Sequence, residues 1–121
     1  MPTGPATATR LRGVWFGVTD LDRSRAFYDL IGAQFTDDAP VDGMAYATLG
    51  DARLVFEPGN PNPPRQGACL LLETADADAL HGILDEAGYA VTAPPRNEPW
   101  GRQLDVLDPD GYPIAFLGPS R

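Results

Sequence analysis

The sequence predicts an α+β fold built from two β-α-β-β-β modules in tandem, and three observations carry the prediction. The stretch Pro99 to Phe116 (PWGRQLDVLDPDGYPIAF) reads as strand, turn, strand. Leu104, Val106, Ile114 and Phe116 are apolar at every second residue, the period that places side chains on one face of a sheet. Between the two runs, Asp108-Pro109-Asp110-Gly111 supplies a proline with a preset negative φ and a glycine able to take the positive φ of a tight turn. The third observation is an internal repeat: at a constant offset of 56 residues, Thr19-Asp20-Leu21-Asp22 overlies Ala75-Asp76-Ala77-Asp78 and Gly32 overlies Gly88. A repeat constrains architecture, whereas a single motif constrains only a local turn.

The first element is a strand from Leu11 to Val18 (LRGVWFGV), β-branched and aromatic enough for that despite Gly13 and Gly17. Thr19-Asp20-Leu21-Asp22 is a helix-start signal, with small polar side chains to cap free N–H groups and carboxylates at the positive end of the helix dipole. Leu21, Phe27, Leu30 and Ile31 fall on one helical face, and Gly32 stops the helix. A brief strand over Gln34 to Thr36 precedes two longer ones, Met44 to Leu49 and Arg53 to Glu57, joined by the Gly50-Asp51 turn. Four prolines within Pro58 to Gly67 (PGNPNPPRQG) break any regular element and make this stretch a linker. The pattern restarts with a strand from Ala68 to Thr74 and a helix from about Asp76 to Ala87. That helix turns Ala77, Leu80, Ile83, Leu84 and Ala87 inward and stops at Gly88. A strand around Tyr89 to Thr92 and a loop, Ala93 to Pro99, lead into the closing hairpin.

At 121 residues the chain suits one domain that buries roughly two thirds of its unfolded surface. Residues 1–10 read as a loose tail rich in Pro, Thr and Gly, without the apolar stretch of a secretory signal. Residues 11–121 form the domain, divided into a module at 11–57, the linker at 58–67 and a module at 68–117. No run of about 20 apolar residues exists, so no membrane-spanning segment is expected. The single cysteine, Cys69, excludes an internal disulfide and fits a reducing cytoplasm. A net charge of -8 argues against nucleic acid, which demands a concentrated basic face. The same acidity serves solubility and favours a cationic small molecule by long-range attraction.

The Trp-Gly pair, the alternating strand, the DPDG turn and the final apolar strand resemble the closing hairpin of the vicinal oxygen chelate superfamily, which includes glyoxalase I, extradiol dioxygenases and bleomycin-resistance proteins. The order Pro99-Trp100-Gly101-Arg102 is most similar to the bleomycin-resistance branch. The resemblance covers Leu11 to Leu117 and implies curved mixed sheets around a cavity, with the helices on the outer face. Alternation then assigns Val14, Phe16, Val18, Ala45, Ala47, Leu49, Leu54, Phe56, Leu70, Leu72, Leu104, Val106, Ile114 and Phe116 to the helix side. The opposite face takes Gly13, Trp15, Met44, Tyr46, Thr48, Arg53, Val55, Glu57, Cys69, Leu71, Glu73, Gln103, Asp105, Leu107 and Ala115. Apolar walls with sparse polar groups suit a ligand cavity; the same side chains could equally pack against one another or a second subunit.

Catalytic members of the superfamily hold a divalent metal through His, Gln or Glu, and the resemblance carries those positions onto Gly13, Val55, Cys69 and Ala115. Gly, Val and Ala offer no side-chain ligand, and one thiol cannot make a site that takes three or four donors. The expectation is no metal and no cofactor. Glu57 reads as a polar rim group, His81 as a solvent-facing residue off the helix stripe, and Cys69 as a small buried hydrophobe with no histidine to serve as its base. Trp100, in a loop bordered by Pro and Arg, is the strongest candidate for stacking on a planar ligand, and it suits packing at a dimer interface equally well. The candidate ligand-binding residues are Trp15, Met44, Tyr46, Arg53, Glu57, Trp100, Arg102, Gln103 and Asp105, with no catalytic residue assigned. The resemblance implies a cytoplasmic homodimer that sequesters a planar or cationic natural product, an antibiotic above all, without altering it. The alternatives are a metal-independent lyase, isomerase or epimerase using a cavity carboxylate such as Glu57, Glu73 or Asp105, and a metal enzyme with unfamiliar ligands.

Overall fold

Both helices start where an aspartate caps them. In the computed structural model, which describes residues 8–38, 40–59, 61–63 and 68–121, Asp20 accepts from the backbone N–H groups of Asp22 and Arg23 and opens α1 (Leu21–Leu30). Asp76 accepts from Ala79 N–H and opens α2 (Ala77–Glu86). In each, a second aspartate in the first turn, Asp22 or Asp78, adds negative charge at the positive end of the helix dipole.

The remaining elements are β1 (Gly13–Val18), β2 (Gln34–Thr36), β3 (Ala45–Leu49), β4 (Ala52–Pro58), β5 (Leu70–Glu73), β6 (Val91–Glu98), β7 (Gly101–Leu107) and β8 (Pro113–Gly118). They form two four-stranded mixed sheets with equivalent orders, β1-β4-β3-β2 and β5-β8-β7-β6. In each sheet the first strand runs parallel to the last of its module and the other pairs are antiparallel. The expected β-α-β-β-β repeat is therefore present twice. The N-terminal segment 1–7 and half of the proline-rich linker, residues 60 and 64–67, lie outside the described residues.

The helix-side set packs as alternation requires: Phe16, Val18, Ala47, Leu54, Phe56, Leu104, Val106, Ile114 and Phe116 are buried, with Val14, Ala45, Leu49, Leu70 and Leu72 packed against them. The aromatic rings concentrate in the first module. Phe56 stacks on Phe16 at 5.3 Å between centroids, and Tyr28 lies 5.5 Å from Phe16.

Five local expectations change. The stretch Ala93 to Pro99 is not a loop but most of β6, because β6 is an edge strand whose register shifts at Ala93 and Arg96 leave room for Pro94 and Pro95. Pro99 and Trp100 are then the tip of a β6–β7 hairpin, closed by Gly101 at φ 139°. On the helices, Leu30, Ile83 and Ala87 are exposed, since the buried stripes centre on Ser24, Phe27 and Tyr28 in α1 and on Ala77 and Leu84 in α2. His81 flanks the second stripe and is half-buried. Cys69 is exposed, because it precedes edge strand β5 and no strand covers it. Ala115, assigned to the open face, is buried: β8 is a central strand and Leu71 and Asp105 flank that alanine in register.

Among the described residues no ladder joins the two sheets; the turn between β7 and β8 bridges them, beside an edge-on contact of Phe27 in α1 with Tyr89 at 4.8 Å. Tyr28 of α1 donates its hydroxyl to Asp108 Oδ2 at 2.7 Å, and Tyr112 donates to the Gly17 carbonyl at 2.8 Å. Arg23 donates to the Pro109 carbonyl at 2.6 Å, and Thr19 N–H donates to the Asp110 carboxylate. The DPDG turn of the second module thus docks on the start of α1 in the first.

Within the first sheet, β1 approaches β4 so closely that a Cβ on Gly13 would lie 1.9 Å from the Arg53 carbonyl oxygen. Gly13→Ala must part this first rung of the β1–β4 ladder, and the expected loss is about 1–3 kcal/mol, an overpacking cost. Urea denaturation measures it directly, and a loss below about 0.5 kcal/mol would show that the strand end yields without strain.

Candidate functional site

The open faces of the two sheets, opposite the helices, carry the candidate residues. On the first sheet, register places Trp15, Val55 and Tyr46 in one row across β1, β4 and β3, with Gly13, Arg53 and Thr48 in the next. Trp15 is 68 % exposed, a large apolar area for a strand residue, and its indole N–H donates to Glu57 Oε1 at 3.1 Å. Met44, immediately before β3, and Tyr46 are half-buried; Arg53 and Glu57 are exposed.

On the second sheet, Trp100 at the hairpin tip is 60 % exposed and donates its indole N–H to Gln103 Oε1 at 2.6 Å. Gln103 in turn donates its amide to Asp105 Oδ1 at 2.8 Å. Arg96 of β6 completes the group, donating to Asp105 Oδ2 at 2.9 Å and to the Gln103 carbonyl at 3.2 Å, with Glu98 3.5 Å away. Arg96 is a member the sequence reading missed, hidden in the stretch read as loop. The chain of Trp100, Gln103, Asp105 and Arg96 fixes the indole in one orientation, the preorganisation a stacking surface needs.

Arg102 stands apart. Its position on β7 shares the parity of Leu104 and Val106, so it points to the helix side and clamps Asp78 of α2 through Nε at 2.6 Å and a terminal nitrogen at 3.0 Å. The Arg102 hydrogen bond holds the Asp78 carboxyl below its ordinary pKa, and the same bond raises that of Arg102. The structure therefore gathers Trp15, Tyr46, Arg53 and Glu57 on one sheet and Trp100, Gln103 and Asp105 on the other, and leaves Arg102 outside both groups.

Clefts flank Trp15 on both sides. An apolar cleft of about 290 Å³ runs along the seam between the modules, lined by Trp15, Ala68, Cys69, Leu70, Tyr112 and Pro113 among others. A smaller one of about 180 Å³ is lined by Arg12, Gly13, Val14, Trp15, Arg53 and Val55. The first lies at the lower end of the size range of small-molecule sites.

The positions onto which the resemblance carries the superfamily's metal ligands are short of donors. Of the four corresponding positions, Gly13 and Val55 carry no donor, Ala115 is buried beneath its neighbours, and Cys69 is alone. The close approach of the Arg53 carbonyl leaves no space for any side chain at position 13 on this backbone. Among the described residues, no three His, Cys, Asp or Glu side chains come together. The carboxylate whose pKa is raised, chiefly by burial, is Asp108, which faces Tyr28 in the core and not the open surface.

Two mixed sheets of repeated β-α-β-β-β order, with helices on one side and an aromatic, sparsely polar surface on the other, define a paired-module scaffold of the kind that presents ligands to its sheets. The chain belongs to the glyoxalase/bleomycin resistance protein/dioxygenase superfamily, whose family model matches residues 10–116. Among solved structures it is similar to TnmS3, an antibiotic binding protein from Streptomyces sp. CB03234, with 32% sequence identity and a TM-score of 0.76 over 96% of this chain and 100% of that one. A glyoxalase/bleomycin resistance protein from the same organism is also 32% identical, with a TM-score of 0.70 over 89% of this chain and 99% of that one. TioX from Micromonospora sp. ML1 shares the fold at 20% identity and a TM-score of 0.69, over 91% of this chain and 98% of that one. No protein of curated function is detectably similar in sequence. No helix among the described residues is long and apolar enough to cross a membrane.

Proposed function

We propose that this protein binds a planar or cationic natural product of the antibiotic class and sequesters it unaltered, without a metal ion. The observation that carries the reading is the pair of exposed indoles, each held by a hydrogen bond to its own sheet and each facing away from the core. Exposed aromatic surface fixed in orientation stacks on flat ligands at little entropic cost. Similarity to an antibiotic binding protein at 32% identity supports the same class of ligand. The empty donor positions support metal independence.

The partner in this proposal is a second copy of the chain. Trp15, Leu71 and Trp100 are 68 %, 66 % and 60 % exposed, more apolar surface than scattered residues on a monomer account for, and a second open face laid over them closes the cavity. The proposed homodimer is cytoplasmic, a compartment that the single cysteine suits. A lyase, isomerase or epimerase on this scaffold would need a proton-transfer carboxylate facing the ligand. Asp105 instead gives both oxygens to Gln103 and Arg96, Glu57 gives one to Trp15, and Glu73 lies on a cleft away from both indoles.

Titration of metal-stripped protein with anthraquinone-type and bleomycin-like compounds, followed by tryptophan fluorescence, tests the reading. Saturable quenching with the compound recovered at unchanged mass is the expected result; an altered compound makes the protein an enzyme, and binding only with added metal restores the ion. Trp100→Ala is expected to weaken binding by about 1–3 kcal/mol, and unchanged affinity in a folded variant removes Trp100 from the site.

A further inference from the structure

The basic residues of this chain are all arginines, nine against 17 acidic residues. Most of those described are committed. Arg96, Arg102 and Arg121 pair with carboxylates, Arg23 donates to a peptide carbonyl, and Arg25 lies 5.0 Å from the centroid of the Phe35 ring. Arg10, Arg12 and Arg53 differ. Among the described residues, their side chains make no hydrogen bond and no ion pair, yet together they line one cleft of about 790 Å³ at the open end of the first sheet. Asp51 is the one carboxylate on that lining, so three positive charges face one negative charge. In a chain of net charge -8, a surplus of guanidinium without acidic partners is against the overall balance.

The cleft is continuous with the Trp15 surface. Arg12 and Arg53 line both it and the smaller cleft that has Trp15 and Val55 on its wall. Arg53 shares the parity of Val55 and Glu57 on β4, so its side chain leaves the same face of the sheet as the indole. Of the carboxylates nearby, Asp105 on the second sheet is paired with Arg96 and bonded by Gln103, whereas Glu57 accepts one hydrogen bond from Trp15 and keeps its charge, outside the cleft lining that Arg12 and Arg53 share. Glu73, on β5 of the second sheet, lines a different cleft. Beside Trp15, Arg12 and Arg53 thus set two positive charges on the cleft lining against the single charge of Glu57.

We propose that Arg12 and Arg53, with Arg10 behind them, form the anion end of the ligand site and hold the carboxylate of a planar aromatic acid whose ring lies on Trp15. The inference rests on the planar-aromatic part of the reading above and replaces its cationic alternative with an acid. The chemistry is that of a guanidinium fork, whose paired N–H donors match the two oxygens of a carboxylate and whose charge needs no proton to be gained. Neutralisation by the ligand also relieves the repulsion among the three guanidiniums, which the fold leaves uncompensated.

The test uses three isosteric probes on the full chain: 2-naphthoate, 2-naphthamide and 2-naphthylmethylammonium. Their dissociation constants come from tryptophan fluorescence. Naphthoate is expected to bind about tenfold tighter than the amide, as charge-assisted hydrogen bonds warrant. In the Arg12→Gln/Arg53→Gln double variant, verified as folded by circular dichroism, the preference for naphthoate over the amide is expected to vanish. Equal binding of the three probes, or tightest binding of the ammonium, overturns the proposal and leaves the aromatic reading standing. If none of the probes binds, the aromatic reading falls. The arginine Nε–H resonances then decide the anion cleft on their own under sulfate titration. Shifts confined to Arg10, Arg12 and Arg53 uphold it, and unmoved signals overturn it.

Discussion

Replacing Asp108 with alanine is expected to destabilise the protein by about 3–5 kcal/mol, a large share of the stability of an ordinary domain. The carboxylate is 5 % exposed and satisfies three donors at once. Oδ1 accepts from the backbone N–H groups of Asp110 at 2.8 Å and Tyr112 at 2.9 Å, which shapes the turn, and Oδ2 accepts from Tyr28 at 2.7 Å, which ties that turn to α1. Alanine removes all three bonds and leaves the Tyr28 hydroxyl unpartnered in the fully buried interior. Tyr28→Phe removes only the tie and should cost about 1.5–3 kcal/mol. Chemical denaturation of the two variants measures both losses, and an Asp108→Ala loss below 1 kcal/mol would mean that the turn is not what joins the modules.

Asp108 also gives the stability a pH signature. Burial, the largest cause, raises its pKa above the ordinary carboxylate value, against the opposing hydrogen bonds from Tyr28 and the turn. Between the ordinary and the raised pKa, the folded state binds more protons than the unfolded one, so stability falls as pH rises through that window and levels off above it. Asp78 runs the other way, its lowered pKa adding stability that is lost on acidification. Asp108→Asn keeps an acceptor for the turn and removes the titration. Its stability relative to the parent should therefore improve as pH rises through the Asp108 window and stay constant beyond it.

Much of this architecture is legible in the sequence because it is periodic. The alternation of Leu104, Val106, Ile114 and Phe116 sorts the faces, and the aspartates at positions 20 and 76 mark both helix starts. The same alternation that sets Gln103 and Asp105 on the open face sets Arg102 on the other, and following the period strictly separates it from them. What escapes the sequence has no period. Pro94 and Pro95 signal a loop until the strand is known to lie at an edge, and Arg96 is lost with them. The bond between Tyr28 and Asp108 spans 80 residues and leaves no local trace. Helical wheels overstate Leu30, since Tyr28, amphipathic enough to read as a surface residue, takes the buried position on α1, and Ile83, whose neighbour Leu84 takes it on α2.

Phe56→Ala is expected to cost about 3–5 kcal/mol, the usual range for emptying a fully buried phenylalanine site. The ring is wholly buried on β4, between β1 and β3, and is packed by Phe16 at 5.3 Å, Tyr28 at 5.0 Å and Phe35 at 5.6 Å. Its chain neighbours Val55 and Glu57 point to the open face, where Glu57 holds the Trp15 indole, so a loosened β4 should change Trp15 fluorescence as well as stability. A loss below 1 kcal/mol in urea would show that the aromatic cluster collapses into the gap. The combination with Asp108→Ala says more than either substitution alone, because Tyr28 touches both Phe56 and Asp108. Sites that share a partner couple, so the double variant should differ from the sum of the singles by about 0.5–3 kcal/mol. Strict additivity would mean that the aromatic cluster and the DPDG turn stabilise the two modules separately, and that Tyr28 does not carry the connection between them.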